Sequence, residues 1–215
     1  MSLTIEDFGG RLASIWSELR PTTRGIVERA LQAANNPPAQ PRSNPNPSNA
    51  PYDARADHEL SVLLSALDER ASETVKSLET ENRAQHAVQI RHIADTCAAV
   101  LQEKTRSAEV FAQLVRRADN QRDYARIDAL ADALTRFAPS EICELARSQD
   151  VVVRALASET LAQFPTSMLI GLLSDPVDSE IARDALRRQV VDYGSEEARQ
   201  IVNALDQMNL NQDDL

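Results

Sequence analysis

A segment near the C-terminus repeats itself, and no other feature of the sequence constrains the fold as strongly. Residues 137–164 read FAPSEICELARSQDVVVRALASETLAQF, and residues 164–191 read FPTSMLIGLLSDPVDSEIARDALRRQVV. The positions that match, with one inserted residue after the third, are Phe137/Phe164, Ile142/Leu169, Leu145/Leu172, Asp150/Asp178, Val153/Ile181 and Ala157/Ala185. A period of 27 to 28 residues with recurring apolar positions predicts helix–turn–helix hairpins, each stacked on the next.

The composition favours a helical chain. Only five of the 215 residues are glycine and 4% are aromatic. No run of alternating β-branched and aromatic residues is long enough for a strand. We therefore predict an all-α fold in which helical hairpins stack as a short α-solenoid. An N-terminal helical region and a flexible linker rich in proline and asparagine precede the hairpins.

Changes of composition divide the chain into five regions. We expect an amphipathic helical segment over residues 1–34 and a disordered linker over residues 35–56. The first 17 residues of this linker include six prolines and five asparagines, so it lacks amide donors and periodic apolar positions. Residues 57–118 are expected to form long helices, residues 119–208 the repeats, and residues 209–215 a polar tail.

The long-helix region carries two apolar registers that are out of phase. The first register is Leu60, Leu64, Leu67, Ala71, Val75 and Leu78, and the second is Ile90, Ile93, Cys97, Leu101, Ala108, Phe111 and Val115. Either a helix breaks near Asn82, forming a hairpin, or one long helix carries a stutter. We favour a break or bend because the apolar periodicity lapses over residues 79–86.

The negative charge is concentrated at the C-terminal end. Residues 139–215 carry 14 acidic and six basic side chains, which accounts for −8 of the net charge of −10. Binding to nucleic-acid phosphates requires clustered lysine and arginine. We therefore expect no nucleic-acid partner, and a repeat surface that prefers basic or apolar partners.

The sequence indicates a cytoplasmic protein with free thiols. Cys97 and Cys143 fall on apolar helix faces, as buried free cysteines commonly do. Glu6 and Asp7 stand where a secretory signal would carry positive charge. The longest apolar run, residues 168–173, is too short to span a bilayer, and we expect no membrane partner.

No pattern indicates catalysis. Five scattered glycines cannot build a nucleotide-binding loop. His58, His86 and His92 are too few and too dispersed for a convincing metal site. Nothing arranges serine, histidine and aspartate as a nucleophile with its base. We therefore expect no catalytic residues, no cofactor and no metal, and a protein that is not an enzyme.

Residues 150–161, DVVVRALASETL, resemble the second helix of a HEAT repeat, one of the armadillo/HEAT class of α-solenoids. The family pattern of Asp, an apolar residue with Arg, Ala and Leu is matched by Asp150, Val153-Arg154, Ala157 and Leu161. The next unit departs from it, since Arg183 falls one place late. The resemblance covers only the C-terminal half. It implies an α-solenoid of about three hairpins with a scaffold or protein-binding role.

Four arginines are candidates for partner binding. Arg126 and Arg154 occupy equivalent repeat positions, and Arg183 and Arg187 lie near the next. One hypothesis is a groove on the solenoid that grips acidic peptides. The other, which we favour, is a set of local ion pairs: Asp150 with Arg154, and Asp184 with Arg187 or Arg188.

Phe8 and Trp16 are further candidates. They lie on an amphipathic N-terminal helix that the linker would tether. This helix either docks in a groove of this or another chain, or packs permanently on the helical core. We favour packing, because an exposed tryptophan stripe is costly in water.

Together these patterns predict a non-enzymatic protein–protein interaction or scaffold module, and they do not identify its protein partner. The alternative is a self-associating, coiled-coil-like structural protein. In that case the stripes over residues 60–78 and 90–115 would form a homo-oligomer.

Overall fold

The computed structural model describes residues 5–35, 52–76 and 81–210, and the regular structure throughout these ranges is helical, without a strand. The all-α class predicted from the sequence is confirmed. Most of the expected linker (36–51) and the end of the expected tail (211–215) lie outside the described residues. None of the described helices is both long and apolar enough to cross a membrane.

The chain divides into two compact units, Met1–Thr105 and Arg106–Leu215. In the described residues of the first unit there are a 3₁₀ turn (Ile5–Phe8) and four helices: α1 (Gly10–Glu18), α2 (Pro21–Asn35), α3 (Ala54–Lys76) and α4 (Glu81–Lys104). The second unit contains α5 (Ala108–Gln121), α6 (Tyr124–Ala133) with a 3₁₀ turn (Leu134–Arg136), α7 (Pro139–Ala146), α8 (Val151–Ala162), α9 (Thr166–Leu172), α10 (Ser179–Tyr193) and α11 (Glu196–Leu210).

The unit boundary falls inside the region of long helices expected over residues 57–118. This occurs because α4 ends at Lys104, and α5 packs with the helices that follow it. Helix α3 begins at Ala54, within the expected linker, and α11 continues to Leu210, within the expected tail.

The described part of the first apolar register lies on α3, and the second register is divided between α4 and α5. Helix α3 ends at Lys76, α4 begins at Glu81, and the two pack side by side. Their buried residues include Leu60, Leu64 and Leu67 from the first register, and Ile90, Cys97 and Leu101 from the second. These described residues of both registers are therefore covered by packing within the same chain.

Glu59 joins α2 to α3 at the N-terminal end of α2. The hydroxyl of Thr23 donates to one carboxylate oxygen of Glu59, and Arg20 Nε donates to the other at 2.8 Å. Burial opposes ionisation of Glu59, but the hydrogen bonds from Thr23 and Arg20 outweigh it and hold the pKa below its usual range. A charge-assisted contact of this kind fixes the start of a helix that proline opens.

The second unit is built from helix pairs that contact their neighbours. The pairs are α5 with α6, α7 with α8, and α9 with α10, and α11 packs on α10. Helix α5 also contacts α7 and α8, and α10 also contacts α7 and α8. Leu130, Ile142, Leu161, Leu169 and Leu186 are among the fully buried residues of these helices.

Local sequence explains where these helices start and stop. The Asp150 carboxylate accepts hydrogen bonds from the amides of Val152 and Val153, which caps α8 as the sequence predicts. Asp123 caps α6 through the amide of Arg126. Pro139 occupies the first turn of α7. Gly194 ends α10 in the left-handed conformation, with φ of 64°.

The match of Asp178 with Asp150 in the repeat predicts that Asp178 caps α10, but its side chain makes no capping hydrogen bond. The turn before α10 is longer than the turn before α8, and it leaves Asp178 with φ of −100° and ψ of −13°. A capping aspartate normally has an extended backbone, from which its carboxylate can reach the first-turn amides. The Asp178 carboxylate is directed instead to another helix pair.

Candidate partner-binding groove

Three of the candidate arginines, Arg154, Arg183 and Arg187, make polar contacts within the second unit. Arg154 Nη1 donates to the carbonyls of Ser148 and Gln149, at 2.7 and 3.4 Å. Arg183 pairs with Glu180 at 3.4 Å. Arg187 pairs with Asp184 at 3.2 Å and reaches Asp206 of α11 at 3.8 Å. Each guanidinium thus contacts the end of a neighbouring helix or an adjacent acid.

Arg126 is half-buried near the start of α6, where its amide donates to Asp123 Oδ1 at 3.1 Å. The partner that the sequence predicts for Arg154 is Asp150, but the ion pair of Asp150 is with Arg116 of α5, at 3.9 Å. Arg154 instead satisfies carbonyls that follow the end of α7, a common use of a cation at a helix C-terminus.

Several polar contacts connect successive helix pairs, and we call them inter-pair contacts. Glu141 of α7 accepts a hydrogen bond from the amide of Ala108, at the start of α5, at 2.8 Å. Arg147, at the end of α7, donates to the buried carboxylate of Asp178 at 2.6 Å. Sequence reasoning missed these contacts because the partners are more than 30 positions apart.

Phe8 and Trp16 lie in the core of the first unit, with exposed fractions of 4% and 8%. Helix α1 packs against α3, and Phe8 makes an edge-to-face contact with His86 at 6.0 Å between ring centres. The structure therefore has the packed arrangement of this segment. Both rings are covered by the chain itself, which leaves little of either surface for a partner.

A polar network on α8 and α10 centres on Glu159. Tyr193 donates to Glu159 Oε1 at 2.6 Å, and Gln163 donates to the same oxygen at 3.0 Å. Arg188 donates to Oε2 at 2.8 Å and also pairs with Asp192 at 3.3 Å. The hydrogen bonds from Tyr193 and Gln163 hold the pKa of Glu159 below its usual range. The same contact with Glu159 raises the pKa of Tyr193.

The buried amide of Gln189 fixes the loop between α8 and α9. Its Nε2 donates to the carbonyls of Ala162 and Phe164, at 3.2 and 2.6 Å. Its Oε1 accepts a hydrogen bond from Thr166 Oγ1 at 3.2 Å. The repeat alignment places Gln189 opposite Leu161. A glutamine at a position that should be apolar was therefore a signal in the sequence for a buried polar contact.

An open groove of about 660 Å³ lies beside this loop. Residues of the loop and its flanks, 162–167, form one side. Gln189 and Tyr193 of α10, with Ser195 and Glu197 at the start of α11, form the rest. We call this the α8–α11 groove. It brings together two helix pairs and the last helix, whereas the candidate arginines Arg126, Arg154, Arg183 and Arg187 do not line it.

The groove lining includes two aromatic residues, Phe164 and Tyr193, and one carboxylate, that of Glu197. The Tyr193 side chain is 51% exposed, and Glu197 is exposed. Elsewhere in the second unit, burial and the charge of Asp178 raise the pKa of the Cys143 thiol to about 11, which suppresses the nucleophilic thiolate. Within the described ranges, no three side chains of histidine, cysteine, aspartate or glutamate gather as a metal site.

Comparison with protein-family models, with curated proteins and with solved structures finds no match to this chain. The resemblance of residues 150–161 to a HEAT repeat therefore stays a prediction from the sequence.

Proposed function

We propose that this chain is a non-enzymatic protein-interaction module. In this proposal the helix pairs of the second unit stack as a short α-solenoid of the HEAT-like kind. Consecutive pairs contact each other from α5 to α10. Stacked helical repeats present continuous surfaces made by several pairs, and such surfaces are the usual place where a partner binds.

Small residues and inter-pair contacts support the stacking. Ala157 of α8, and Ala182 and Ala185 of α10, are buried, which lets neighbouring helices approach closely. Glu141 and Arg147 then contact the preceding and following pairs respectively. Because these polar contacts demand a particular alignment of the pairs, they favour one defined arrangement.

The α8–α11 groove is the observation that carries the proposal. It is formed where the α7/α8 pair meets the α9/α10 pair and α11. Its lining is mostly apolar and includes two aromatic residues, and the negative charge of Glu197 suits a protein partner better than a nucleic acid. A surface of this kind serves recognition, and the proposal assigns it no chemistry.

Photo-crosslinking in the native host tests this proposal. A photoreactive amino acid replaces one exposed residue at a time, at Tyr124, Val151 or Tyr193 in the second unit, or at Val62 or Val88 in the first. We expect adducts with another protein from the second-unit positions and far fewer from the control positions in the first unit. The absence of adducts at all three second-unit positions would overturn the proposal.

Self-association is the competing proposal. The stripes that would support it are largely buried between α3 and α4 of one chain, at Leu60, Leu64, Leu67, Ile90 and Leu101. This burial supports the interaction module over a coiled-coil oligomer. Light scattering over a hundredfold range of concentration separates the two, because an oligomer held by these stripes would dissociate on dilution or keep a multiple of the 23.7 kDa chain mass.

A further inference from the structure

We infer that the α8–α11 groove binds an arginine-bearing segment of a protein partner. This inference rests on the proposed function and names the chemistry of the partner. It is carried by three features: the Tyr193 ring held by a hydrogen bond, the lining carboxylate of Glu197 with two more carboxylates beside the groove, and a loop whose position is fixed by the buried amide of Gln189.

The ring of Tyr193 is exposed but held in place. Its hydroxyl donates to Glu159 at 2.6 Å, and Glu159 is itself held by Gln163 and Arg188. The side chain therefore cannot rotate freely, although half of it faces solvent. A cation over the face of such a ring is attracted by its quadrupole, and a planar guanidinium stacks there better than an ammonium.

The charges around the groove select a cation. Glu197 contributes to the lining, and Glu159 and Asp192 lie beside Tyr193 in the network. Arg188 is the cation that this network contains, and it is paired with both Glu159 and Asp192. Three carboxylates against one guanidinium leave a negative excess, which favours a basic segment and repels an acidic one.

The shape admits a stretch of chain rather than an enclosed small molecule. The groove is open, and its floor includes the buried amide of Gln189. This amide donates hydrogen bonds to the carbonyls of Ala162 and Phe164 and accepts one from the Thr166 hydroxyl, and these three contacts fix the loop. Since the walls are already ordered, binding a partner segment carries little ordering cost on the side of this protein.

Fluorescence anisotropy of the full-length protein tests the inference. The probe is a fluorescein-labelled decapeptide with three arginines and two leucines, and the comparison peptides carry lysine or glutamate in place of arginine. We expect the arginine peptide to bind more tightly than the lysine peptide, and the glutamate peptide not to bind. The lysine peptide binding as well as the arginine peptide would contradict the stacking on Tyr193.

Matched variants separate the groove from the general acidity of the chain. We expect Tyr193→Leu and Glu197→Gln each to weaken the arginine peptide about three- to tenfold, from the loss of cation–π and charge contacts. Tyr193→Phe should bind with an affinity between those of the parent and Tyr193→Leu, because it keeps the ring but loses the hydrogen bond that holds it. Glu144→Gln, which removes an exposed carboxylate on α7, should change affinity by less than about twofold.

Two outcomes overturn the inference. Equal losses of affinity for the arginine peptide in Glu197→Gln and Glu144→Gln would mean that only long-range electrostatic attraction operates, without a contact in the groove. No binding of the arginine peptide by the parent protein would remove the groove as a basic-segment site, while photo-crosslinks from the second unit would still support an interaction module. Circular dichroism of each variant checks that the helices are intact. Because Tyr193→Phe and Tyr193→Leu both lose the hydrogen bond to Glu159, the difference in affinity between them reports the contribution of the ring.

Discussion

Arg147 reaches from the end of α7 to the carboxylate of Asp178 at 2.6 Å, and the Asp178 side chain is only 5% exposed. The same guanidinium donates to the carbonyl of Val177 at 3.3 Å. One side chain thus joins a helix pair to the turn that opens the second helix of the next pair. The sequence predicts that this aspartate caps its own helix, and its carboxylate instead serves the packing of two pairs.

Removing Arg147 should destabilise the second unit. Arg147→Ala leaves a buried carboxylate without its cation, and we expect a loss of about 1–3 kcal/mol in the free energy of unfolding, measured in urea. The control is Arg187→Ala, which breaks exposed pairs with Asp184 and Asp206 and should cost at most about 0.5 kcal/mol. Equal losses in the two variants would show that burial of Asp178 is not what makes the contact matter.

A charge at Ala157 should be far more damaging than the same charge one half-turn away. Ala157 is fully buried in α8, whereas Ala155 is exposed. We expect Ala157→Asp to cost about 3 kcal/mol or more, because it buries an unpaired carboxylate. Ala155→Asp should stay within about 0.5 kcal/mol of the parent. A melting temperature of Ala157→Asp close to that of the parent would mean that the register of α8 is wrong.

Gln189 should be required for the loop between α8 and α9. Gln189→Leu leaves the carbonyls of Ala162 and Phe164 buried without a donor, and we expect a loss of about 1–3 kcal/mol. Hydrogen exchange should increase locally over residues 162–168, which mass spectrometry can resolve. Gln163→Leu, at an exposed position, is the control and should leave this exchange unchanged. Unaltered exchange in Gln189→Leu would argue against the amide as the element that holds the loop.

The contribution of Glu159 to the free energy of unfolding should depend on pH. Because its folded-state pKa lies below the usual range, owing to the hydrogen bonds from Tyr193 and Gln163, the ionised acid stabilises the fold above the ordinary carboxyl pKa. This stabilisation is lost as the pH falls through the lowered value. The difference in unfolding midpoint between the parent and Glu159→Gln should therefore be constant near neutrality and shrink below about pH 4. A difference that stays constant to about pH 3 would exclude this linkage.

Substitution of alanine at two glycines, Gly194 and Gly171, should change the stability in opposite directions. Gly194 has a positive φ of 64°, where a side chain is strained, so Gly194→Ala should cost about 1 kcal/mol. Gly171 lies within α9, and a methyl group added there would meet no neighbouring side chain within 4 Å. Gly171→Ala should therefore stabilise the helix by about 0.5–1 kcal/mol. Thermal unfolding of the two variants measures both effects, and the same sign in both would contradict the assignment of Gly194 as a helix end.

The sequence was sufficient for the elements that short-range patterns determine. Apolar spacing predicted the helices, and Asp150, Pro139 and Gly194 marked ends that the structure confirms. These signals work because a helix start or end depends on residues within about one turn. The sequence alone could not decide between a broken and a continuous helix after Lys76. The structure has two helices that pack side by side, α3 and α4, and this packing covers apolar residues of both.

The candidate site could not be predicted in the same way. The arginines at repeat positions were visible in the sequence, but the groove depends on which loops and ends the fold places together. Tyr193 and Glu197 stand at a helix end and a helix start, and their shared groove arises because the chain turns at Gly194 between α10 and α11. The contact of Glu159 with Tyr193 spans 34 positions, a distance at which no local pattern reports a pairing.

The inter-pair contacts also bear on how the second unit reaches its fold. The contact from Arg147 to Asp178 spans 31 positions, and the contacts of Glu159 with Arg188 and of Gln189 with Ala162 span 29 and 27. Each loop that must close is therefore short, so its entropic cost is modest and rapid folding is expected. A unit joined in this way can nucleate at one helix pair and grow by adding the adjacent pair. The same locality lets it lose its last helices first when it unfolds.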